Sequence, residues 1–128
     1  MRVDVHVIGK GPVGTTLRSR LGDSPLARSR CAIVADWPDI RALRRRTSEL
    51  RTPWILVEDA GNGDVAIGPV FRPRYRGCFD CYLARRCANG GRECRPAAAI
   101  DEHVLEFLEH AIENIFSKSR DSASIRLS

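Results

Sequence analysis

Four cysteines lie close enough in the sequence to form one metal site: Cys78, Cys81, Cys87 and Cys94 fall within seventeen residues. The first two have the C-x2-C spacing with which two thiolates hold one metal ion. Zinc takes four such ligands in a tetrahedron, with each sulfur about 2.3 Å from the metal. We therefore expect one structural zinc ion. Reduced, metal-free thiols are the main alternative, and disulfides are a third.

Arginines are concentrated around these cysteines. The segment 72–95 contains seven of them and only two carboxylates, Asp80 and Glu93. Such a positive field attracts phosphates or an acidic peptide segment. We expect five of the arginines to contact a partner: Arg72, Arg74, Arg76, Arg85 and Arg86. The alternative is a solvated arginine-rich face. The arginines of the segment 40–50, which lie on the outer face of a predicted helix, are expected to matter less.

A glycine motif follows the first apolar run. Gly9, Gly11 and Gly14 have the spacing G-x-G-x-x-G, between a β-branched strand and a predicted helix over residues 15–21. This order is typical of a turn that binds nucleotide phosphates. Asp36 ends the next strand, near the place where an acidic residue would bind a ribose. However, Pro12 removes one amide from the turn, and the connection to the next strand is short. We expect a structural turn that does not bind ATP, with a working nucleotide site as the alternative.

Length and composition fit one globular domain that works in the cytoplasm. The chain has 128 residues, 43% of them hydrophobic and 29% charged, with a net charge of +5. No apolar run is long enough to cross a membrane, and the first residues do not have the pattern of a signal peptide. In the cytosol the cysteines should stay reduced, which favours metal ligands or thiols over disulfides.

The order of the apolar runs predicts an α/β fold. Short β-branched runs alternate with helical patterns at the start of the chain, and a turn rich in glycine separates two strands in the middle. We expect a truncated Rossmann-like sheet in three layers, mostly parallel, with an antiparallel edge hairpin, a cysteine-rich loop and a C-terminal amphipathic helix. The predicted strands cover 3–8 and 31–36, the hairpin 54–71, and the helices 15–21, 40–50 and 100–116. One domain would span 1–118, including the arginine- and cysteine-rich loop 72–95, and 119–128 would be a flexible tail.

The last predicted helix has one apolar stripe at helical spacing, formed by Ile100, Val104, Leu105, Leu108, Ala111, Ile112, Ile115 and Phe116. Glutamates occupy the opposite face. Such a helix buries its stripe in a core or against another chain. We expect it to pack on the sheet, and a homodimer formed through the helix 100–116 is the alternative.

Three segments together resemble ThiF-like proteins of bacteriocin biosynthesis. They are Ile67-Gly-Pro-Val-Phe-Arg-Pro73, Gly77-Cys-Phe-Asp-Cys-Tyr82 and Arg85-Arg86-Cys-Ala-Asn89. The segment Arg51-Thr-Pro-Trp-Ile-Leu-Val57 and the glycine turn precede them in a similar order, so that the resemblance covers residues 2–90. This family shares the fold of ubiquitin-activating enzymes. Its members are partners of YcaO-type cyclodehydratases, which form thiazolines and oxazolines in ribosomally made peptides.

The resemblance implies a role in peptide modification. Relative to the family, we expect no leader-binding winged-helix module before the first strand, and the middle of the fold is shortened. The second C-x2-C pair of the parent fold is represented only by Cys87 and Cys94. We therefore expect a non-catalytic partner or scaffold protein that binds a YcaO-type or other modifying enzyme, or its precursor peptide. Two alternatives remain: an ATP-dependent adenylating enzyme, and a basic zinc-containing module that binds nucleic acid.

Overall fold

The sheet has four strands and is mostly parallel. The computed structural model describes residues 3–61, 63–73, 79–88, 90 and 93–116. The strands are β1 (Val5–Ile8), β2 (Cys31–Val34), β3 (Trp54–Gly61) and β4 (Asp64–Phe71), and they lie side by side in that order. β1 and β3 each pair with β2 in parallel, whereas β3 and β4 are antiparallel. The described part is thus a mixed α/β structure, and the predicted edge hairpin is confirmed.

Four helices accompany the sheet. They are α1 (Pro12–Leu21), α2 (Ile40–Ser48), α3 (Phe79–Ala88) and α4 (Glu102–Phe116). Side-chain caps begin two of them: Asp39 accepts a hydrogen bond from the Ala42 amide, and Asp101 accepts one from the Val104 amide. Such caps satisfy amides that have no partner within the helix.

α1 begins three residues earlier than the sequence pattern predicted. Pro12 occupies its first turn, where the missing amide costs nothing and the fixed φ suits a helix. Gly14 therefore lies inside the helix rather than in a turn before it. This places the Gly14 amide among those at the helix start that need a partner from elsewhere in the chain.

The helices bury two separate apolar cores, one on each face of the sheet. On one face, α1 and α4 cover residues such as Val5, Ile33 and Val57. On the other face, α2 and α3 cover Ala32, Leu56 and their neighbours. Strand residues alternate between the faces because successive side chains point to opposite sides of a sheet. Cys31 is fully buried in the first core.

The outer edge of β1 is covered by the chain segment that follows α1. The Val5 carbonyl accepts a hydrogen bond from the Ser24 amide, at 2.8 Å. The Val7 amide donates to the Asp23 carboxylate at 3.0 Å, and the Val7 carbonyl accepts from Arg18. Three outward backbone groups of this edge, namely both carbonyls and the Val7 amide, are therefore engaged.

One predicted element is wrong. The sequence analysis placed residues 72–95 in a cysteine-rich loop, but residues 79–88 form α3, which buries Phe79 against the second core. Apolar and aromatic side chains at helical spacing in Phe79, Tyr82 and Leu83 outweighed the turn signal of the C-x2-C pair. The proposed tail 119–128 lies outside the described residues. Among those residues, no helix has both the length and the apolar character needed to cross a bilayer.

Candidate functional site

The glycine turn is closed by a carboxylate of the chain itself. The Gly14 amide donates a hydrogen bond to Asp36 Oδ2 at 2.6 Å. This amide lies in the first turn of α1, where a bound phosphate would receive its hydrogen bonds. Gly11, the N-cap residue that precedes the helix, offers no side-chain cap. Asp36 therefore acts as a remote cap for α1 and brings a negative charge to the positive end of the helix.

Close packing explains why glycine occupies these positions, without any need for a bound ligand. A Cβ at Gly14 would lie 2.3 Å from the Gly9 carbonyl oxygen and 2.8 Å from Asp36 Oδ2. A Cβ at Gly11 would lie 2.8 Å from Asp36 Cγ. Asp36 itself has a φ of 55°, a conformation that aspartate tolerates better than most residues. The spacing that suggests a phosphate turn thus makes room for the backbone and for one internal side chain.

A cleft of about 530 Å³ opens beside this turn. It lies between the carboxyl ends of β1 and β2 and the helix α2, which is where open α/β sheets commonly bind ligands. Its basic lining comes from Lys10, Arg45 and Arg46, and Trp37 contributes an aromatic side chain. The cleft could accommodate an anion or a small aromatic group, but the amide of Gly14 is already engaged.

The described cysteines do not all converge on one point, although Cys87 and Cys94 line one depression. Cys81 and Cys87 are exposed on α3, whereas Cys94 is buried against the second core. Six residues along an α-helix turn the side chain by about 120°, so Cys81 and Cys87 point in different directions. No group of three metal-ligating side chains occurs in the described ranges. Cys78 lies outside them, and the zinc site remains a prediction.

A buried polar cluster joins α3 to β3. Arg86 Nη1 lies 2.8 Å and 2.9 Å from the two carboxylate oxygens of Glu58, whose side chain is only 4% exposed. The Tyr82 hydroxyl donates to Glu58 Oε2 at 3.1 Å. The Cys94 thiol is influenced by the same carboxylate. Glu58 is therefore the acceptor at the centre of the cluster.

The cluster changes the acidity of its members. Burial, followed by the charge of Glu58 and the hydrogen bond to it, raises the pKa of Cys94 to about 12. The same causes in the same order raise the pKa of Tyr82. Burial alone would lower the pKa of Arg86. The hydrogen bonds to Glu58 and the charge of Glu58 outweigh this effect, so that the pKa is raised. The Cys94 thiol is thus unsuited to nucleophilic attack at neutral pH.

The arginines of segment 72–95 that the structure describes do not form one surface. Arg86 was expected to contact a partner, but it is 16% exposed and paired with Glu58. Arg72 lies over the ring of Phe116, with its guanidinium carbon 5.9 Å from the ring centre. Arg85 is exposed on α3. Arg74 and Arg76 lie outside the described residues. The prediction considered only carboxylates that are close in the sequence, whereas Glu58 lies on a strand that is distant in the sequence.

A different set of arginines borders a groove, which we call the basic groove. It has a volume of about 230 Å³ and lies between α2, the end of β4 and the start of α3. Arg44, Arg51 and the Arg72–Pro73 turn line it, and Arg44 is bound to Asp80 at 2.9 Å. Trp54, Phe71 and Phe79 form its floor as mutually packed rings, with Trp54 and Phe71 stacked at 4.3 Å. Arg44, which was expected to matter less for binding, therefore borders the same groove as Arg72, and its smaller effect stays a prediction.

Of three carboxylates that matter here, sequence reasoning assigned no role to Glu58, suggested the wrong partner for Asp80, and indicated Asp36 only by its position. Glu58 closes a strongly apolar strand run, and a charge in such a place is a signal of a buried partner. Asp80 was counted as an opponent of the local arginines, but its partner is Arg44, thirty-six residues away. Asp36 was identified by its distance from the glycines, and it lies beside them as a cap.

Comparison with models of protein families, with curated proteins and with solved structures found no match.

Proposed function

We propose that this chain is a Rossmann-like, non-catalytic partner protein in the modification of a ribosomally made peptide. It would bind a YcaO-type or other modifying enzyme, or the precursor peptide. The resemblance of segments 67–73, 77–82 and 85–89 to ThiF-like proteins supports this choice of pathway. Structural zinc, if bound by Cys78, Cys81, Cys87 and Cys94, would order the segment between β4 and α4.

The contact between Asp36 and Gly14 is the observation that carries the non-catalytic assignment. An adenylating enzyme must hold the phosphates of ATP at the start of the first helix. Here a carboxylate accepts from the Gly14 amide at 2.6 Å, and Pro12 contributes no amide. A nucleotide would have to displace a bound charge of its own sign. Binding of a macromolecule does not need this turn.

The basic groove supplies a surface suited to an acidic peptide segment. Arg44 and Arg51 are exposed at its rim, and aromatic rings form its floor. Arginine guanidinium groups form paired hydrogen bonds with carboxylates, and they also pack on apolar surface. A cavity of about 230 Å³ has room for one large side chain. The favoured ligand is therefore an acidic segment with one apolar anchor, as found in a precursor peptide or in a loop of an enzyme.

Co-purification tests the proposal. Arg44→Glu combined with Arg51→Glu reverses the charge at the groove and should strongly reduce recovery of a co-expressed YcaO-type enzyme or precursor peptide. The complex of the wild-type chain should weaken as salt rises, because exposed charge pairs are screened. Arg28→Glu combined with Arg41→Glu is the matched control, since both side chains are exposed and neither lines the groove.

The outcomes separate the candidate functions. Equal recovery with both double variants would remove the groove as the contact surface. Recovery of neither partner by the wild-type chain would contradict the proposed function. Preferential binding to random duplex DNA would instead favour a nucleic-acid-binding module, which the basic composition allows.

An adenylating enzyme is the second candidate, and the cleft beside the glycine turn is the observation that favours it. The cleft has a volume of about 530 Å³ and carries Lys10, Arg45 and Arg46. Calorimetry with Mg²⁺-ATP decides between the two. Micromolar binding that is lost in Gly11→Asp would establish a nucleotide site.

A further inference from the structure

One flank of α4 and the adjacent face of β4 both carry apolar side chains, and we call this set of residues the apolar shelf. Its members are Val65, Ile67 and Val70 on β4, and Val104, Phe107, Ala111 and Ile115 on α4. The three β4 residues are only partly buried against the first core. Phe107 is 62% exposed and Ile115 36% exposed. Large apolar side chains that are exposed side by side mark contact surfaces.

The geometry of α4 explains why this flank is open. Leu105, Leu108 and Ile112 point into the first core. The flank towards α1 is closed by Arg20, which forms ion pairs with Glu102 and Glu109. The opposite flank lies towards β4, since Val104 and Val65 line the same depression. Residues 107, 111 and 115 follow one another at four-residue spacing along this second flank.

The two ends of the shelf carry opposite charges. Asp64, at the start of β4, and Asp101, at the start of α4, lie together at one end. Arg72 follows the last residue of β4 and lies over Phe116, the last residue of α4. Strand and helix therefore run in the same direction, over about 22 Å for the fifteen residues of α4. The shelf has an acidic end and a basic end.

We propose that the apolar shelf is the interface of a homodimer. A second copy, related by a two-fold axis close to Phe107, would place its own shelf antiparallel to the first. The acidic end of each chain then meets the basic end of the other, so that Asp64 of one chain faces Arg72 of its partner. An isologous interface requires such self-complementarity. The small side chain of Ala111 allows the two helices to approach closely, and the two Phe107 rings supply the central apolar contact.

Sedimentation equilibrium of the purified wild-type chain, without any partner protein, measures the association directly. We expect a monomer–dimer equilibrium, and we expect Phe107→Glu to weaken it about tenfold or more, as the loss of a central aromatic contact does. Ile40→Glu is the control, since Ile40 is 38% exposed on α2, on the other face of the sheet. It should leave the equilibrium unchanged.

Charge exchange tests the antiparallel arrangement. Asp64→Lys alone and Arg72→Glu alone should each weaken the dimer, and the double variant should recover much of the lost association because the facing pair is restored in reverse. Circular dichroism of each variant confirms folding. A wild-type chain that stays monomeric at all concentrations would overturn the proposal, and so would an equal effect of Ile40→Glu. A double variant weaker than both single variants would overturn the arrangement proposed.

Discussion

Arg86 and Glu58 form a buried ion pair that fastens α3 to the sheet. Both carboxylate oxygens of Glu58 lie within 2.9 Å of Arg86 Nη1, although the two residues are twenty-eight positions apart. The Tyr82 hydroxyl lies 3.0 Å from the same nitrogen. A carboxylate this deeply buried is tolerated only when it is paired and hydrogen-bonded. The pair therefore determines where α3 docks.

Removal of Arg86 should destabilise the fold. Arg86→Ala leaves the Glu58 carboxylate buried without its counter-ion, and we expect the free energy of unfolding to fall by about 3 kcal/mol or more. Arg85→Ala is the matched control on the same helix, and its exposed side chain should change the value by less than about 0.5 kcal/mol. Urea unfolding followed by circular dichroism measures both. Similar losses in the two variants would refute the role of the pair.

The cysteines should differ sharply in reactivity. Treatment of the native chain with iodoacetamide at neutral pH, followed by mass spectrometry, should label the exposed Cys81 and Cys87. Cys31 and Cys94 should react only after unfolding, because burial is the main cause that raises the pKa of each thiol to about 12.

The same measurement tests for zinc. A bound ion would also protect Cys81 and Cys87 until a chelator is added, and metal analysis would then find about one equivalent per chain. Fast labelling of Cys94 in the native chain would contradict the buried cluster. Less than about 0.2 equivalents of metal with labelled Cys81 and Cys87 would remove the zinc prediction.

Stability should decline at alkaline pH. The pKa of Cys94 is about 12 in the folded chain against an ordinary value of 9.0, so the unfolded chain loses this proton first. The contribution of the protonated thiol to the free energy of unfolding is complete below pH 9.0. It is lost as the pH rises towards about 12. The unfolding temperature, measured across this pH window, should fall less steeply for Cys94→Ala than for Cys87→Ala. Equal slopes would show that Cys94 does not titrate in this way.

Removal of the Asp36 carboxylate should leave the Gly14 amide, at the start of α1, available to a ligand. Asp36→Gly deletes the carboxylate and keeps a residue that accepts a φ of 55° without strain. We expect a stability loss of about 1 kcal/mol from the missing cap. We also expect weak binding of inorganic phosphate that the wild-type chain lacks, measured by calorimetry. Glu49→Ala, which removes a charge from the same cleft, is the control. Phosphate binding by the wild-type chain or by the control would contradict the closed turn.

Much of the fold could be predicted because its signals are local. The hairpin follows from two β-branched runs around a glycine-rich turn, and β4 has the bounds expected for it. The helix α4 follows from the spacing of Leu105, Leu108 and Ile112. The start of α1 was misplaced because Pro12 was treated as part of the turn, although proline suits the first turn of a helix.

The candidate site could not be predicted to the same extent because its contacts are distant in sequence. Asp36 and Gly14 meet across twenty-two positions, and Arg44 and Asp80 across thirty-six. The charges near Arg86 in the sequence suggested that it could bind a partner. In the fold, Glu58 neutralises it. Only the folded sheet shows which charges cancel and which remain exposed.

The covered edge of β1 has a consequence for how the protein behaves at high concentration. A bare strand edge offers unpaired amides and carbonyls to any other extended chain, and this is a common route to amyloid. Ser24 and the side chains of Arg18 and Asp23 occupy the carbonyls of Val5 and Val7 and the amide of Val7. Fibre growth cannot begin by the addition of a strand to these two residues unless the segment after α1 first detaches.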